Sequence, residues 1–420
     1  MKRAWGALIG ALLSLGAQAA PVTIYNQDAG TGRGFDDTTV VAPEPDNNAT
    51  TLGAQRLRAM RYAASIVASR IASSVPIRVA VSFADNNGGA ALECSANSAT
   101  LGQGGATQYT FNFVGAPKKD TGYPLALANA LAGRRLADTA DIALSFNAAL
   151  DTGSTNCLQG YRWYYGLDGH PGAHELDFVA TAVHELIHGL GFQSLVALKD
   201  SGDATIGQFP RYTTASNSRY PDIYSRFIQD LSLPGQPLWS DLTAQQRADS
   251  ITNGPNVVWD DANTDNAAAG YLSSGINQGR VELYAPSTIQ PGSSISHWAI
   301  GLAPKQIMEP RENPEVSVLS GIGMAACVFE NMGWQLANDT RCPDVGSAPI
   351  AGQADVTMSS GSADTPAAAG SGGGSGRSNS SGGGGGGCTI DPNAAFDPLW
   401  ALMMAAAVGV LGWRRRRAAA

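Results

Sequence analysis

The stretch His184-Glu185-Leu186-Ile187-His188-Gly189-Leu190-Gly191-Phe192 is the most informative part of this chain of 420 residues. Residues four apart lie one turn apart on the same face of an α-helix, so His184 and His188 can direct a nitrogen atom at the same point. Glu185 lies beside them. This H-E-x-x-H spacing is typical of a catalytic zinc site, in which the two histidines bind the metal and the glutamate is the general base.

The residues around the motif predict that it lies on a helix. Apolar residues recur at helical spacing, and polar residues form a separate stripe. The apolar positions are Leu176, Val179, Ala180, Val183, Ile187 and Leu190, and the polar positions are Asp177, Thr181, His184 and His188. An ordinary amphipathic helix that matches the motif by chance is the alternative, but a polar stripe that carries both histidines favours a metal site.

Two histidines leave a catalytic zinc site one protein ligand short. In the compact extension of the motif, H-E-x-x-H-x-x-G-x-x-H, a third histidine follows the glycine. Gly191 fits this pattern, but Ser194 occupies the position of the histidine. A glutamate from a following helix is the second solution, and the sequence disfavours it because no glutamate occurs between Glu185 and Glu282.

A distant histidine is the remaining solution. His297 is the only histidine in the sequence downstream of the motif, and elimination makes it the favoured third ligand. His170 and His174 lie shortly before the motif and remain alternatives. The Pro171-Gly172 dipeptide between them predicts a loop that leads into the helix.

These segments resemble the leishmanolysin-type metzincin peptidases. Residues 184–192 are similar to the H-E-x-x-H-x-x-G-F of that family, and a long insertion separates them from His297. Ile307-Met308-Glu309-Pro310 is similar to its methionine-containing turn, and residues 317–334 resemble the helix that closes its catalytic domain. The resemblance implies a zinc endopeptidase that binds one Zn²⁺ and acts on a protein or peptide substrate. In it, His184, His188 and His297 bind the metal, Glu185 is the catalytic base, and Met308 shapes the floor beneath the metal.

The resemblance also implies an α+β fold with two catalytic subdomains. Residues 21–193 would form an N-terminal subdomain with a mixed sheet and the active-site helix. Residues 194–345 would form a loop-rich C-terminal subdomain with the insertion, the third ligand, the Met-turn and the closing helix. Apolar periodicity predicts helices at 55–73 and 223–231 and strands at 77–83, 109–113, 142–146 and 163–165. Ser317 is expected to cap the closing helix and Gly333 to end it.

Both chain ends predict export. Residues 1–20 have a basic start, a short apolar stretch and Ala17-Gln18-Ala19, which is the layout of a cleavable signal peptide. Residues 346–388 contain a glycine- and serine-rich tether that ends at Cys388. Residues 389–420 hold an apolar segment, 396–413, followed by four arginines. This tail resembles the tripartite surface-sorting signals of bacterial proteins, which implies a membrane anchor or a sorting protease that acts near Cys388. The protein would then be anchored at the cell surface or released.

The remaining cysteines agree with an oxidising compartment. There are four of them besides Cys388, and three pairings are possible. We favour Cys94 with Cys157 and Cys327 with Cys342, because each pair then lies within one subdomain. Free buried cysteines are the alternative. A zinc site made of thiolates is disfavoured because no two of these cysteines have the spacing of such sites.

Charge excludes one class of partner, and the motif separates two classes of function. A formal charge of −8 and a pI near 5.1 argue against a nucleic-acid partner, since such proteins usually present a basic face. The leading hypothesis is an exported zinc endopeptidase. The alternative is a surface-displayed binding or adhesion module that holds zinc without turnover. Glu185 argues against the alternative, because a structural zinc site does not need that carboxylate.

Overall fold

The structure is a computed structural model that describes residues 18–84, 92–152, 156–211, 218–313, 315–337, 340–349, 356–359 and 389–390. These residues form a mixed fold of helices and sheets, which agrees with the α+β prediction. The helices are α1 (Leu52–Ala68), α2 (Leu125–Ala132), α3 (Phe178–Gly189), α4 (Ala244–Ser250), α5 (Ala262–Tyr271) and α6 (Ala325–Met332). The strands are β1 (Val22–Asn26), β2 (Ile71–Ala72), β3 (Ile77–Ala84), β4 (Ala99–Thr100), β5 (Gly102–Ala106), β6 (Tyr109–Phe111), β7 (Gly122–Pro124), β8 (Ile142–Asn147), β9 (Arg162–Tyr164), β10 (Glu175–Asp177), β11 (Ile228–Asp230), β12 (Val257–Trp259), β13 (Ile276–Asn277), β14 (Arg280–Glu282), β15 (Gln335–Leu336), β16 (Val356–Ser359) and β17 (Thr389–Ile390).

The main sheet has the order β16-β1-β3-β8-β5. Its first four strands run parallel, and β5 lies antiparallel at the edge beside β8. Side chains on one face of β3 and β8, such as Val79, Val81 and Ile142, are fully buried, and α1 and α3 pack in this half of the molecule. The strands predicted at 77–83 and 142–146 are therefore confirmed, as are β6 and β9 at two further predicted positions.

Helix α1 confirms the helix predicted at 55–73, with different bounds. It begins at Leu52 and ends at Ala68, before the chain enters β2. Ile71 and Ala72 pair with β15, which draws these residues into a ladder instead of a further helical turn. The apolar stripe of α1, including Met60 and Ala64, is buried as the periodicity predicts.

Helix α3 carries the H-E-x-x-H motif and begins at a capping aspartate. Asp177 is the N-cap residue, and its Oδ1 accepts a hydrogen bond from the backbone N–H of Ala180 at 3.1 Å. An aspartate at this position satisfies an N–H that has no partner within the helix. Every residue of α3 is buried, including those of the predicted polar stripe, so the stripe faces the interior of the protein.

The second half of the chain forms a small antiparallel sheet of order β11-β12-β14-β13. The helix predicted at 223–231 is wrong: Tyr224–Phe227 form a single 3₁₀ turn, and the chain then enters β11. Ile228 pairs with Trp259 of β12, and both side chains are fully buried. Pairing with a distant strand outweighs the local helical spacing here, since short apolar runs suit either structure.

The closing helix is shorter than predicted. The segment 317–334 contains a 3₁₀ turn, Val318–Ser320, and then α6, Ala325–Met332. Gly321 and Gly323 lie between them with φ of 111° and 57°, a left-handed backbone that interrupts a helix. Ser317 precedes the 3₁₀ turn and makes no side-chain capping bond, so its predicted role is wrong. Gly333 ends α6 with φ of 111°, as predicted.

Both favoured disulfides are present. Cys94 bonds to Cys157 and Cys327 to Cys342, with Cα atoms 4.9 Å and 4.6 Å apart. The segment expected to be a tether holds an ordered part near its start, because Arg70 donates to the carbonyls of Gly346 and Ser347 and β16 pairs with β1. The mixed sheet therefore extends beyond residue 345, where the sequence analysis placed the domain boundary.

Most of the predicted targeting segments lie outside the described residues. These are residues 1–17 of the signal peptide, the glycine-rich part of the tether with Cys388, and the apolar segment 396–413 with its arginines. Within the part of the chain that the structure describes, no helix is long and apolar enough to cross a membrane.

Candidate metal centre and active site

Three histidines from two distant parts of the chain meet in the interior. The Nε2 atoms of His184 and His188 lie 3.1 Å apart, and they lie 3.2 Å and 3.1 Å from Nε2 of His297. All three side chains are buried, with at most 2% of the residue exposed. Among the described residues, this is the only group of three or more histidine, cysteine or acidic side chains close enough to share one ion. The two alternative ligands are elsewhere: His170 is 84% exposed beside Asp168, and His174 packs on the ring of Tyr161.

Each imidazole is oriented by a backbone carbonyl. The Nδ1 atoms of His184, His188 and His297 lie 2.6 Å, 2.7 Å and 2.8 Å from the carbonyl oxygens of Ile307, Phe192 and Ser293, in that order. A carbonyl oxygen only accepts hydrogen bonds, so each Nδ1 carries the proton and donates it. In the neutral ring, Nε2 then holds a lone pair. Hydrogen bonds of this kind, from the ring nitrogen that does not bind the metal, usually fix the tautomer of metal-binding histidines.

The electrostatics of the cluster keep these rings neutral. Burial lowers the pKa of His184 to about 4 and that of His297 to about 3, and the neighbouring histidine also contributes for His297. Burial, reinforced by the two other rings, lowers the pKa of His188 well below its ordinary value. Three lone pairs therefore point at one another without a proton between them, which is unfavourable unless a cation lies among them.

The spacing of the three nitrogens fits zinc. Tetrahedral coordination at a Zn–N distance of about 2.0–2.1 Å places ligand nitrogens about 3.3–3.4 Å apart. The observed separations of 3.1–3.2 Å are close to this value. Three neutral imidazoles also match the donor set of a catalytic zinc site, which keeps its fourth position for water. The residues therefore fit the metal that the motif implies.

Glu185 lies directly beneath the edge strand of the main sheet. It is fully buried, and β5 crosses α3 at this residue. A Cβ atom on Gly104 would lie 2.4 Å from the Glu185 carbonyl oxygen, and one on Gly102 would lie 3.2 Å from Glu185 Cγ. Only glycine permits this close approach at position 104. The run Gly102-Gln103-Gly104-Gly105 was the available sequence signal for this contact, and the sequence analysis did not use it.

The predicted Met-turn lies next to the cluster. The N–H of Glu309 donates to the carbonyl of Gln306 at 3.1 Å, which closes a turn around Ile307 and Met308. Met308 is fully buried, and its carbonyl accepts a hydrogen bond from the N–H of Trp298 at 2.8 Å. The Ile307 carbonyl accepts the hydrogen bond from His184, and Trp298, which donates to Met308, directly follows His297. This turn therefore links α3 to the segment that carries His297.

A buried polar network that the sequence analysis missed also links the end of the motif segment to the segment that carries His297. The carboxylate of Asp222 accepts hydrogen bonds from the Leu195 N–H at 2.8 Å and from the Ser225 hydroxyl at 2.7 Å. The Ser225 and Ser194 hydroxyls lie 2.8 Å apart, and the N–H of Ser194 donates to the hydroxyl of Ser296 at 3.2 Å. The network links the end of the motif to the residue before His297. Asp222 directly precedes the segment 223–231, and no local pattern reveals its contact with Leu195.

A second missed residue, Glu312, comes from a distant part of the chain and lies against the N-terminal end of α3. Its Oε1 accepts a hydrogen bond from the N–H of Asp177 at 3.0 Å. Burial, with a smaller contribution from Asp177, raises the pKa of Glu312 to about 8. Burial also raises the pKa of Asp177 to about 6. Glu312 and Asp177 are 135 residues apart in the chain, so only the fold brings them together.

Comparisons of this chain with protein-family models, with curated proteins and with solved structures find no match. The functional assignment therefore depends on the residues of the site itself.

Proposed function

We propose that this chain is an exported zinc-dependent endopeptidase of the metzincin type. The observation that carries the proposal is the convergence of three Nε2 atoms, 3.1–3.2 Å apart, with the fully buried Glu185 next to His184 on the same helix. A purely structural zinc site needs its fourth position filled by the protein. Among the described residues, no fourth histidine, cysteine or acidic side chain joins the three histidines.

The proposed roles follow from the chemistry of each side chain. His184, His188 and His297 would hold the metal, and their Nδ1–H bonds to carbonyls keep each Nε2 available to it. When bound there, zinc would act as a Lewis acid that polarises the scissile carbonyl, and it would lower the pKa of a water towards about 7. Glu185 accepts the proton of the attacking water and later donates it to the leaving amine. β5 and its close contact with α3 hold Glu185 in place.

The similarity to leishmanolysin-type enzymes and the export of the chain are parts of the same proposal. The first is supported by the motif, the long insertion before His297 and the turn at Met308. The second is supported by the layout of both chain ends and by two disulfides, which persist in oxidising compartments. The C-terminal segment would anchor the protein in a membrane or be removed by a sorting protease near Cys388.

Cleavage of a denatured protein by the full chain tests this function. We expect cleavage that a zinc chelator abolishes and added zinc restores. Glu185→Gln should keep its zinc yet lose at least about 100-fold in activity, the lower bound for loss of a general base. Glu315→Gln, at an exposed position, is the control and should cleave normally. Zinc-loaded wild-type protein that cleaves no peptide would instead support the zinc-containing binding module.

A further inference from the structure

Helix α3 is attached at two points to the segment that contains the Met-turn. His184 donates its Nδ1–H to the carbonyl of Ile307 at 2.6 Å, and the N–H of Asp177 donates to Oε1 of Glu312 at 3.0 Å. Asp177 and His184 are seven residues apart, which is about 10 Å along a helix. The segment 307–312 therefore runs along the first two turns of α3 in the opposite direction.

The hydrogen bond from Asp177 completes a cap that α3 cannot form from its own residues. In a capping box, the N-cap side chain accepts a hydrogen bond from the third helical N–H, and a glutamate or glutamine at that third position accepts one from the N-cap N–H. Asp177 accepts from the N–H of Ala180, the third residue of α3, but an alanine side chain has no acceptor to return the bond. Glu312 supplies this acceptor from a position 135 residues away.

Glu312 makes this contact as a neutral acid. Burial raises the pKa of Glu312 to about 8, so its carboxyl group holds a proton at neutral pH. Oε1 then accepts from the Asp177 N–H, and the proton is left to Oε2. A neutral carboxyl group also avoids like-charge repulsion with the nearby carboxylate of Asp177. A glutamine side chain has the same shape, the same acceptor and a donor in place of Oε2, so it reproduces the protonated glutamate.

The space between the two attachment points is narrow. It contains a cavity of about 20 Å³, room for about one water, whose walls include Thr181, His184 and Ile307. Close packing of this kind transmits displacements, so α3 cannot tilt at its N-terminal end without moving His184 relative to the Ile307 carbonyl. Glu185 follows His184 on α3 and would move with it.

We propose that Glu312 is a positioning residue, which fixes the N-terminal end of α3 against the segment of the Met-turn and thereby sets the orientation of His184 and Glu185. The proposal rests on the proposed function, because the residues that it positions are those of the peptidase site. Glu312 acts through the backbone of Asp177 and takes no part in the proton transfers of the reaction. Loss of its hydrogen bond frees the first turn of α3, and a shift of about 1 Å at a catalytic group can cost about 100-fold in rate.

Amide hydrogen exchange in the full-length protein tests the contact itself. Glu312→Met fills a similar volume without a comparable acceptor, so exchange in the first turn of α3 should be about 10-fold faster, the value of one hydrogen bond. Glu312→Gln retains the acceptor and should match the wild type. Glu312→Asp is a second variant, whose carboxyl group falls one methylene short of the Asp177 N–H, and its exchange should also be faster. Glu315→Met, at an exposed position, is the matched control and should exchange like the wild type. Wild-type exchange in both Glu312→Met and Glu312→Asp, or faster exchange in Glu312→Gln, would overturn the proposal.

Cleavage of a quenched peptide at neutral pH tests the consequence for the site. The kcat of Glu312→Met should fall at least about 10-fold while KM changes less than about 2-fold, because the substitution displaces the reacting groups and leaves substrate binding in place. Glu312→Gln should restore the wild-type kcat, a rescue that depends on the acceptor. An unchanged kcat in Glu312→Met, or an equal loss in Glu312→Met and Glu312→Gln, would refute the positioning role.

The visible absorption of Co²⁺, bound in place of zinc, separates this proposal from the peptidase function. The absorption band reports the geometry of the metal ligands without turnover, and it should shift in Glu312→Met and not in Glu312→Gln. A wild type that cleaves no peptide would contradict the peptidase function alone if the band still shifted in Glu312→Met. An unshifted band in Glu312→Met would contradict the positioning of His184.

Discussion

Replacing Gly104 by alanine should disturb both the stability and the activity of the protein. The added Cβ would lie 2.4 Å from the carbonyl oxygen of Glu185 and 2.8 Å from its Cβ. Neither atom can rotate away, because one belongs to the helix backbone and the other is attached to it. The edge strand β5 and α3 must therefore separate by a distance on the order of 1 Å, and overpacking of this kind costs about 1–3 kcal/mol.

The expected change in the melting temperature follows from the size of the folded part. An unfolding entropy of about 2.1 cal/mol/K per residue over about 300 residues converts 1–3 kcal/mol into a decrease of about 2–5 °C. Displacement of a catalytic group by about 1 Å can cost about 100-fold in rate, so we expect at least about a 10-fold decrease in kcat/KM. Zinc content should be retained, because carbonyl groups outside this contact orient the three histidines.

Gly270→Ala is the matched control for this substitution. Gly270 lies on α5, is exposed, and has no atom within 4 Å of an added Cβ. Alanine in a helix interior is favoured over glycine by about 0.5–1 kcal/mol, and Gly270 is the penultimate residue of α5, so this variant should melt at the same temperature or slightly higher and remain active. Thermal unfolding by circular dichroism and cleavage of a quenched peptide measure both effects. If Gly104→Ala matched Gly270→Ala in both assays, the close contact between β5 and Glu185 would be refuted.

Two further predictions concern the acidic residues that the sequence analysis missed. Asp222→Ala leaves the buried N–H groups of Leu195 and Ser225 without their acceptor, and each unsatisfied group costs about 1–3 kcal/mol. Denaturant unfolding should therefore show a loss of about 2–6 kcal/mol, whereas exposed Asp249→Ala should change little. A wild-type stability for Asp222→Ala would contradict the network. Burial raises the pKa of Glu312 from 4.5 to about 8, so the folded state holds this proton more tightly than the unfolded state. The resulting stabilisation is fully present below about pH 4.5 and is lost as the pH rises through about 8. The melting temperature of the wild type should therefore fall relative to that of Glu312→Gln over this range, and parallel pH profiles would exclude a raised pKa.

Local patterns were sufficient to predict the elements that hold most of the site. Apolar periodicity predicted α1, α3, β3 and β8, because these elements bury one regular face against a common core. Elimination among five histidines selected His297, and the fold places its Nε2 beside those of His184 and His188. The sequence could do this because histidine is rare in the chain.

The remaining features depend on contacts between distant residues. The predicted helix at 223–231 is wrong because β11 gains a partner in β12, which local spacing does not reveal. The closing helix is shorter than predicted because Gly321 and Gly323 take left-handed conformations that the apolar pattern does not exclude. Glu312 and Asp222 gain their roles only through partners supplied by the fold, namely the N–H groups of Asp177 and Leu195.

The zinc affinity of His297→Ala tests the central claim most directly. Competition with a chromogenic chelator should show one zinc ion per full-length wild-type chain. Removal of a residue that only hydrogen-bonds to a metal ligand lowers the metal affinity roughly 10- to 100-fold. The zinc affinity of His297→Ala should fall by more than this, and by as much as that of His184→Ala. His170→Ala, at a position 84% exposed, should bind zinc like the wild type. Wild-type affinity in His297→Ala, or a wild-type chain without zinc affinity, would contradict a metal centre built from these three histidines.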